Sequence, residues 1–288
     1  MHLNVGETVT RALVFDQEQF DRFAVLSGDD NPIHVDPAFA ARSRFGRPVA
    51  HGMLLYANLH AAAGQLLPGA PQAEQSLVFS APTFAGEALQ LRLTLLGATA
   101  DGRIPMATEI VKPDGGFSCQ GEAVFQLGLA PDDLAEREPA APPAAGAAWQ
   151  GLATGQKATL QRAYTAADLD AYLALLGDTN PLHNDAAFAR RLGLRGAPLP
   201  GPLLGALFSC LLGTRLPGPG SNWLKQRLVF HHAAYPGDEL EANAEIIRLR
   251  PEKALVNLRT WVTAGGACVC DGEALVWVGD REAPQEEV

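Results

Sequence analysis

An aspartate and a histidine five positions apart, with Asn-Pro between them, occur twice in this chain, as Asp29/His34 in "GDDNPIH" and Asp178/His183 in "GDTNPLH". A carboxylate beside an imidazole can hold a water molecule and exchange protons with it near neutral pH. The Asn-Pro step turns the loop so that the two side chains fold towards each other. Proline also keeps the residue before it extended, which leaves the Asn31 and Asn180 amides available to brace the turn. Twenty-three residues beyond each aspartate stands a glycine, Gly52 or Gly201, where a helix opens. Backbone N–H groups at a helix start have no intrahelical partner and point outward with the helix dipole behind them. Glycine there lets a ligand come close to the backbone. An isolated Asn-Pro turn near a histidine is usually structural. The whole phrase at one spacing from a helix-opening glycine, twice, is read as acid/base chemistry.

The elements that position these residues are themselves repeated. An offset of 149 aligns Gly6 with Gly155, Asp21 with Asp170, both Asp/Asn/Pro/His phrases, and Gly52 with Gly201. After a two-residue insertion an offset of 151 aligns Leu77-Val78-Phe79 with Leu228-Val229-Phe230 and Gly121-Glu122-Ala123 with Gly272-Glu273-Ala274. The chain is therefore a tandem duplication of a whole domain. We divide it into a first half, residues 1–130, a Pro/Ala-rich linker, 131–150, a second half, 151–280, and a solvated tail, 281–288.

In each half a short capped helix precedes the loop, with Asp16 and Gln19 in the capping roles first and Thr165 and Asp168 second. Asp36 then caps a further short helix with Pro37 in its first turn. The segments Met53–Leu67 and Pro202–Leu216 are apolar almost all round and rich in small residues, which marks them as buried helices. Four strand-like stretches follow each. One buried helix ahead of four strands implies an α+β arrangement, an antiparallel sheet wrapped around a helix, with two such units side by side.

A sheet wrapped around a helix is the hot-dog fold, and "FAVLSGDDNPIHVDPAFA" at Phe23–Ala40 resembles the signature of the MaoC-like, (R)-specific enoyl-CoA hydratase family. The second copy departs at one place, where Leu176 takes the small-residue position. The stretch Arg47–Leu55, "RPVAHGMLL", is also similar to the family's approach to the hot-dog helix, and the two-in-one chain resembles its tandem, double hot-dog members. The resemblance implies reversible hydration of trans-2-enoyl-CoA thioesters to (R)-3-hydroxyacyl-CoA, a hydro-lyase activity of fatty-acid or related acyl metabolism, with no metal and no cofactor beyond the CoA of the substrate. That reaction needs a base for water, an acid for C2 and donors for the thioester oxygen. By resemblance, Asp29, His34, Asp178 and His183 are the catalytic groups, and the Gly52 and Gly201 N–H groups face the thioester oxygen, with Asn31 and Asn180 at the substrate. A polar residue eight positions beyond each glycine, His60 or Ser209, helps to hold the water, each assigned to the loop of its own half.

On that assignment each copy is imperfect. The first has the better loop but His60 where serine is usual; the second has Ser209 but also Leu176, and Pro200 where the first has His51. With the Asp, Asn, His and Gly retained in both, two working sites are expected, although in eukaryotic double hot dogs one half has typically lost the pair. A dehydratase acting on acyl-carrier-protein thioesters would use the same chemistry in reverse. A non-catalytic acyl-thioester-binding protein would not need both proton-transfer groups twice, and hot-dog thioesterases do not carry this phrase.

Composition narrows the partners. With 47% hydrophobic and 19% charged residues the chain is an ordinary globular protein, and a formal charge of −10 argues against nucleic acid or anionic membrane. The chain has no apolar run of about 18 residues and no signal-like start, and its four cysteines lack metal spacing, so a cytoplasmic address with reduced thiols is expected. Cys268 and Cys270 are expected on one face of a strand. The assembly expected is a monomeric pseudo-dimer or a homodimer of double hot dogs. His231 and His232, as strand neighbours, are read as structural, one facing in and one out.

Overall fold

The structure, a computed structural model, describes residues 4–127 and 148–280. The first half runs β1 (Thr8–Leu13), α1 (Gln17–Ser27), α2 (Pro32–Val35), α3 (Pro37–Ala40), α4 (Gly52–Leu66), β2 (Gln72–Phe79), β3 (Leu89–Leu95), β4 (Arg103–Val111) and β5 (Phe117–Gln126). A two-residue ladder follows, β6 (Ala148–Trp149) and β7 (Leu152–Ala153). The second half repeats the order as β8 (Lys157–Arg162), α5 (Ala166–Leu176), α6 (Pro181–Asn184), α7 (Ala186–Arg191), α8 (Gly201–Thr214), β9 (Asn222–Phe230), β10 (Leu240–Arg250), β11 (Leu255–Ala264) and β12 (Ala267–Trp277). The expected tail, and all of the expected linker except the residues that open the short ladder, lie outside the described residues.

Among the described residues ten strands form one sheet in the order β1-β3-β4-β5-β2-β9-β12-β11-β10-β8. The halves join where β2 pairs antiparallel with β9, from Glu74↔Val229 to Val78↔Lys225. Glu74 clamps this seam, accepting from Arg103 of its own half and Arg227 of the other, each at 2.8 Å. The strands β1 and β8 are additions to the sequence reading, which placed four strands in each half. They form the two outer edges, where one face meets solvent, and their alternating exposure follows from that.

The helices α4 and α8 lie inside the curl of the sheet and share one continuous core. They pack closely because Gly205 of α8 leaves room for the Met53 side chain of α4: a Cβ on Gly205 would stand 2.7 Å from Met53 Sδ. The expected caps are present. Asp16 with Gln19 and Thr165 with Asp168 each form a reciprocal capping box, and Asp36 caps α3. No described helix is long and apolar enough to cross a membrane.

Two local expectations need correcting. Cys268 and Cys270 do not share a face: the β11–β12 register shifts between Val262 and Thr263, a bulge that leaves Val269 and Cys270 buried and Cys268 half-buried. His231 and His232 lie just beyond β9, which ends at Phe230, and the buried His231 pairs with Asp271 at 3.2 Å. All four cysteines are free thiols.

Candidate active site

Each Asp/His loop is held by the same local bonds. Asn31 Oδ1 accepts from Ile33 N (3.2 Å), and Asn180 Oδ1 accepts from Leu182 N (3.1 Å), which starts the short helix carrying the histidine. His34 Nδ1 lies 2.7 Å from Val49 O and His183 Nδ1 lies 2.9 Å from Pro198 O. A carbonyl only accepts, so Nδ1 carries the proton in both rings. In the neutral form Nε2 then keeps a lone pair for chemistry. Burial holds His34 and His183 below the ordinary histidine value, against the opposing pull of Asp29 and Asp178. Both therefore stand as neutral bases at pH 7.

The loops reach across the molecule. Asn31 Nδ2 donates to Gly213 O of α8 (3.3 Å), and Asn180 Oδ1 accepts from Gly69 N just beyond α4 (3.1 Å). A Cβ on Gly213 would stand 2.8 Å from Asn31 Nδ2, and one on its counterpart Gly64 would stand 2.7 Å from Asn180 Nδ2. Each loop is thus seated on the central helix of the opposite half. The asparagines brace more than the turn: they dock one half on the other.

This crossing corrects the assignment of the third polar residue. Ser209, on α8 of the second half, donates to Asp29 Oδ2 of the first half at 2.5 Å. His60, on α4 of the first half, stands beside His183 of the second, with ring centroids 5.3 Å apart. The exchange is geometric: α4 and α8 lie side by side, so the far turns of each helix pass under the other half's loop.

The first site therefore combines Asp29, His34, Gly52 and Ser209 around a cavity of about 490 Å³. Asp29 is 1% exposed, and its Oδ1 lies at the weak distance of 3.4 Å from Asn31 N. Ser27, in the small-residue position, accepts from Asp29 N (3.1 Å) and donates to Phe23 O (2.7 Å), tying the aspartate to the end of α1. Gly52 opens α4 and lines the cavity. A Cβ there would meet the Phe79 ring at 2.8 Å, so the position has no room for a side chain.

One contributor was visible in the sequence only as the counterpart of Pro200. His51 is fully buried, sits 2.9 Å from Asp29 O through Nε2, and stacks on His34 with ring centroids 3.8 Å apart. Its acceptor is a carbonyl, so Nε2 donates and His51 fixes the Asp29 backbone and the His34 ring together. Burial, with His34 next to it, holds His51 well below the ordinary histidine value. Asp29, His34 and His51 each place one ligand-type atom within 4.8 Å of the others. That set is of the kind that could hold an ion, and it is equally the surround of a polarised water.

The second site combines Asp178, His183, Gly201 and His60, and all three departures fall in it. Leu176 offers no hydroxyl, so Asp178 N donates instead to Leu173 O (3.0 Å). Pro200 offers no imidazole to stack on His183 as His51 does on His34. His60 fills the place of the serine, and the cavity lined by His60, His183 and Gly201 is about 50 Å³. Asp178 Oδ1 accepts from Asn180 N (2.9 Å), but Oδ2 is buried without a partner among the described residues, as is His60 Nδ1. Burial raises Asp178 above the ordinary carboxylate value, and burial followed by the neighbouring His183 holds His60 well below the histidine value. A separate surface depression of about 440 Å³ reaches His183 but neither Asp178 nor Gly201.

Residues 3–112 match the family described as MaoC like domain. An (R)-specific enoyl-CoA hydratase of Aeromonas caviae is 44% identical over 128 residues, which cover 44% of this chain and 96% of that protein. A 3-hydroxybutyryl-CoA dehydratase of Methylorubrum extorquens is 34% identical over 46% of this chain and 85% of its own length. A solved structure from Mycobacterium tuberculosis, described as having a double hotdog fold, superposes with a TM-score of 0.74 at 13% identity, covering 96% of each chain, which is a likeness of fold. With the α+β double hot dog and the Asp/His loops in place, the chain belongs to the MaoC-like (R)-specific enoyl-CoA hydratase family.

Proposed function

We propose that the protein hydrates trans-2-enoyl-CoA thioesters reversibly to (R)-3-hydroxyacyl-CoA, and that it does so at the first site. The observation that carries this reading is the bond from Ser209 to Asp29, which completes one site across the halves and leaves every departure in the other. Asp29 and the neutral His34 Nε2 flank the position of a water. His34 accepts a proton as the water oxygen adds to C3, with Asp29 beside it to offset the charge. The negative charge that grows on the thioester oxygen is met by the Gly52 N–H at the start of α4. The imidazolium, disfavoured by burial, returns a proton to C2. These groups supply base, acid and oxyanion donor without a metal or a further cofactor.

The second site, with its serine replaced by His60 and its cavity small, is proposed to stabilise the pseudo-dimer rather than to turn over substrate. The reading is tested with crotonyl-CoA, followed at the loss of the enoyl absorbance, with the product's chirality determined. Hydration to the (R)-product that survives chelators is expected. An (S)-product, or activity abolished by chelation, would overturn it.

A further inference from the structure

Among the hydroxyl groups that line the cavity around Asp29 and His34, two are buried and are not used by the hydration chemistry. Thr83, four residues beyond β2, and Ser118, in β5, both line it. They are 2% and 0% exposed, and neither Thr83 Oγ1 nor Ser118 Oγ has a hydrogen-bonding partner among the described residues. A hydroxyl removed from water without a replacement partner destabilises the fold. Two of them beside a cavity are accounted for if a ligand completes their bonding.

The fold itself does not call for them. In the second half the corresponding residues are Ala234 and Val269, both buried. The correspondence holds in the backbone. Ala50 N donates to Thr83 O (2.8 Å) as Leu199 N does to Ala234 O (2.7 Å), and Ser80 N donates to Ser118 O (3.1 Å) as His231 N does to Val269 O (3.0 Å). The same frame therefore packs well with apolar side chains at both places. The hydroxyls occur in the half whose cavity is about 490 Å³ and are absent where it is about 50 Å³. Polarity goes with room for a ligand.

We propose that Thr83 and Ser118 bind an uncharged oxygen on the acyl chain, so that the preferred substrate is an enoyl thioester bearing a hydroxyl, ether or keto group. This rests on the reading of the cavity as the hydratase site. Two features of the cavity choose this chemistry. Among the described residues lining it, Arg44 is the one Lys or Arg; its side chain is 48% exposed and it lies 4.6 Å over the Trp277 ring, which marks the solvent end. The CoA arm leaves through the solvent end, and the acyl end takes the closed interior, where the two hydroxyls stand. A carboxylate there would be buried without a cation, whereas a neutral oxygen meets hydroxyl donors alone.

The test compares enoyl-CoAs of equal length with and without a terminal hydroxyl, crotonyl-CoA against 4-hydroxycrotonyl-CoA and 2-hexenoyl-CoA against 6-hydroxy-2-hexenoyl-CoA. Wild type, Thr83→Val, Ser118→Ala and the double variant are assayed, and the reading is the ratio of kcat/KM for the oxygenated over the alkyl substrate. That ratio does not depend on how much enzyme is folded. The wild type is expected to favour an oxygenated substrate, and the double variant to lose ~10-fold of that ratio, the worth of one or two neutral hydrogen bonds. A ratio that stays constant would overturn the proposal while leaving the hydratase reading intact, an equal loss on both substrates placing the hydroxyls on the pantetheine arm. No turnover of any enoyl-CoA by the wild type would overturn both.

Discussion

The loops around Asp29 and Asp178 fold alike, with the same asparagine brace, the same histidine-to-carbonyl bond and the same glycine-opened helix. They nevertheless become different sites. At Asp29 the carboxylate receives a hydroxyl from Ser209 and the histidine has His51 at its back. At Asp178 one carboxylate oxygen has no partner among the described residues, and an imidazole, His60, occupies the hydroxyl's place. The difference comes from packing. Because α4 and α8 lie side by side, each half supplies the third polar group of the other half's site. A substitution on α4 in the first half therefore alters the site of the second.

The largest effect should separate the two aspartates. Asp29→Asn is expected to lower kcat by ~10²–10⁴-fold, the usual loss when the carboxylate that offsets a catalytic imidazolium is removed, while Asp178→Asn keeps the wild-type rate. Initial rates of enoyl-CoA hydration decide it, and equal partial losses would restore two working sites. Next comes the crossing itself. Ser209→Ala removes a charge-assisted bond worth ~1.5–3 kcal/mol and should cost ~10–100-fold in kcat, whereas His60→Ala should leave the rate alone. The reverse pattern would mean that each half serves its own loop.

The comparison sharpens if the second site can be rebuilt. In an Asp29→Asn background, Leu176→Ser, His60→Ser and Pro200→His together should raise residual turnover by ~10-fold, the worth of a recovered hydrogen bond to Asp178. No recovery would mean that the small cavity, rather than the missing groups, closes that site.

The smallest effect is on stability. Burial lowers the values of His34, His51, His60 and His183 in the folded protein. Above the unfolded value of ~6.5 both states are neutral at these rings. Below it the unfolded chain takes up protons that the native rings refuse, so stability falls as the pH drops through ~6.5. Asp178, raised in the folded state, pulls the other way at lower pH but is one group against four. Thermal melts between pH 7.5 and 5.5 should show the decline, at ~2–4 °C per kcal/mol, and His60→Ser should lessen it.

Much of this could be read in the residues. The duplication, the buried helices, the capping boxes at Asp16 and Thr165, the α+β class and the Asp/His loops are local patterns, set by side-chain periodicity and turn chemistry over a few residues. The edge strands β1 and β8 and the bulge at Val269 escaped because they depend on what lies beside them in the sheet. The pairing of Ser209 with Asp29 lay further out of reach, since the two are 180 residues apart and an offset repeat matches each residue to its own half. His51 was visible only as a mismatch with Pro200, and Thr83 and Ser118 carried no signal until the cavity existed. Which groups could do the chemistry, and how each loop would turn, follow from the residues alone. Which loop receives the serine and which the histidine follows only from packing, because α4 and α8 pass side by side and each reaches the other half's loop.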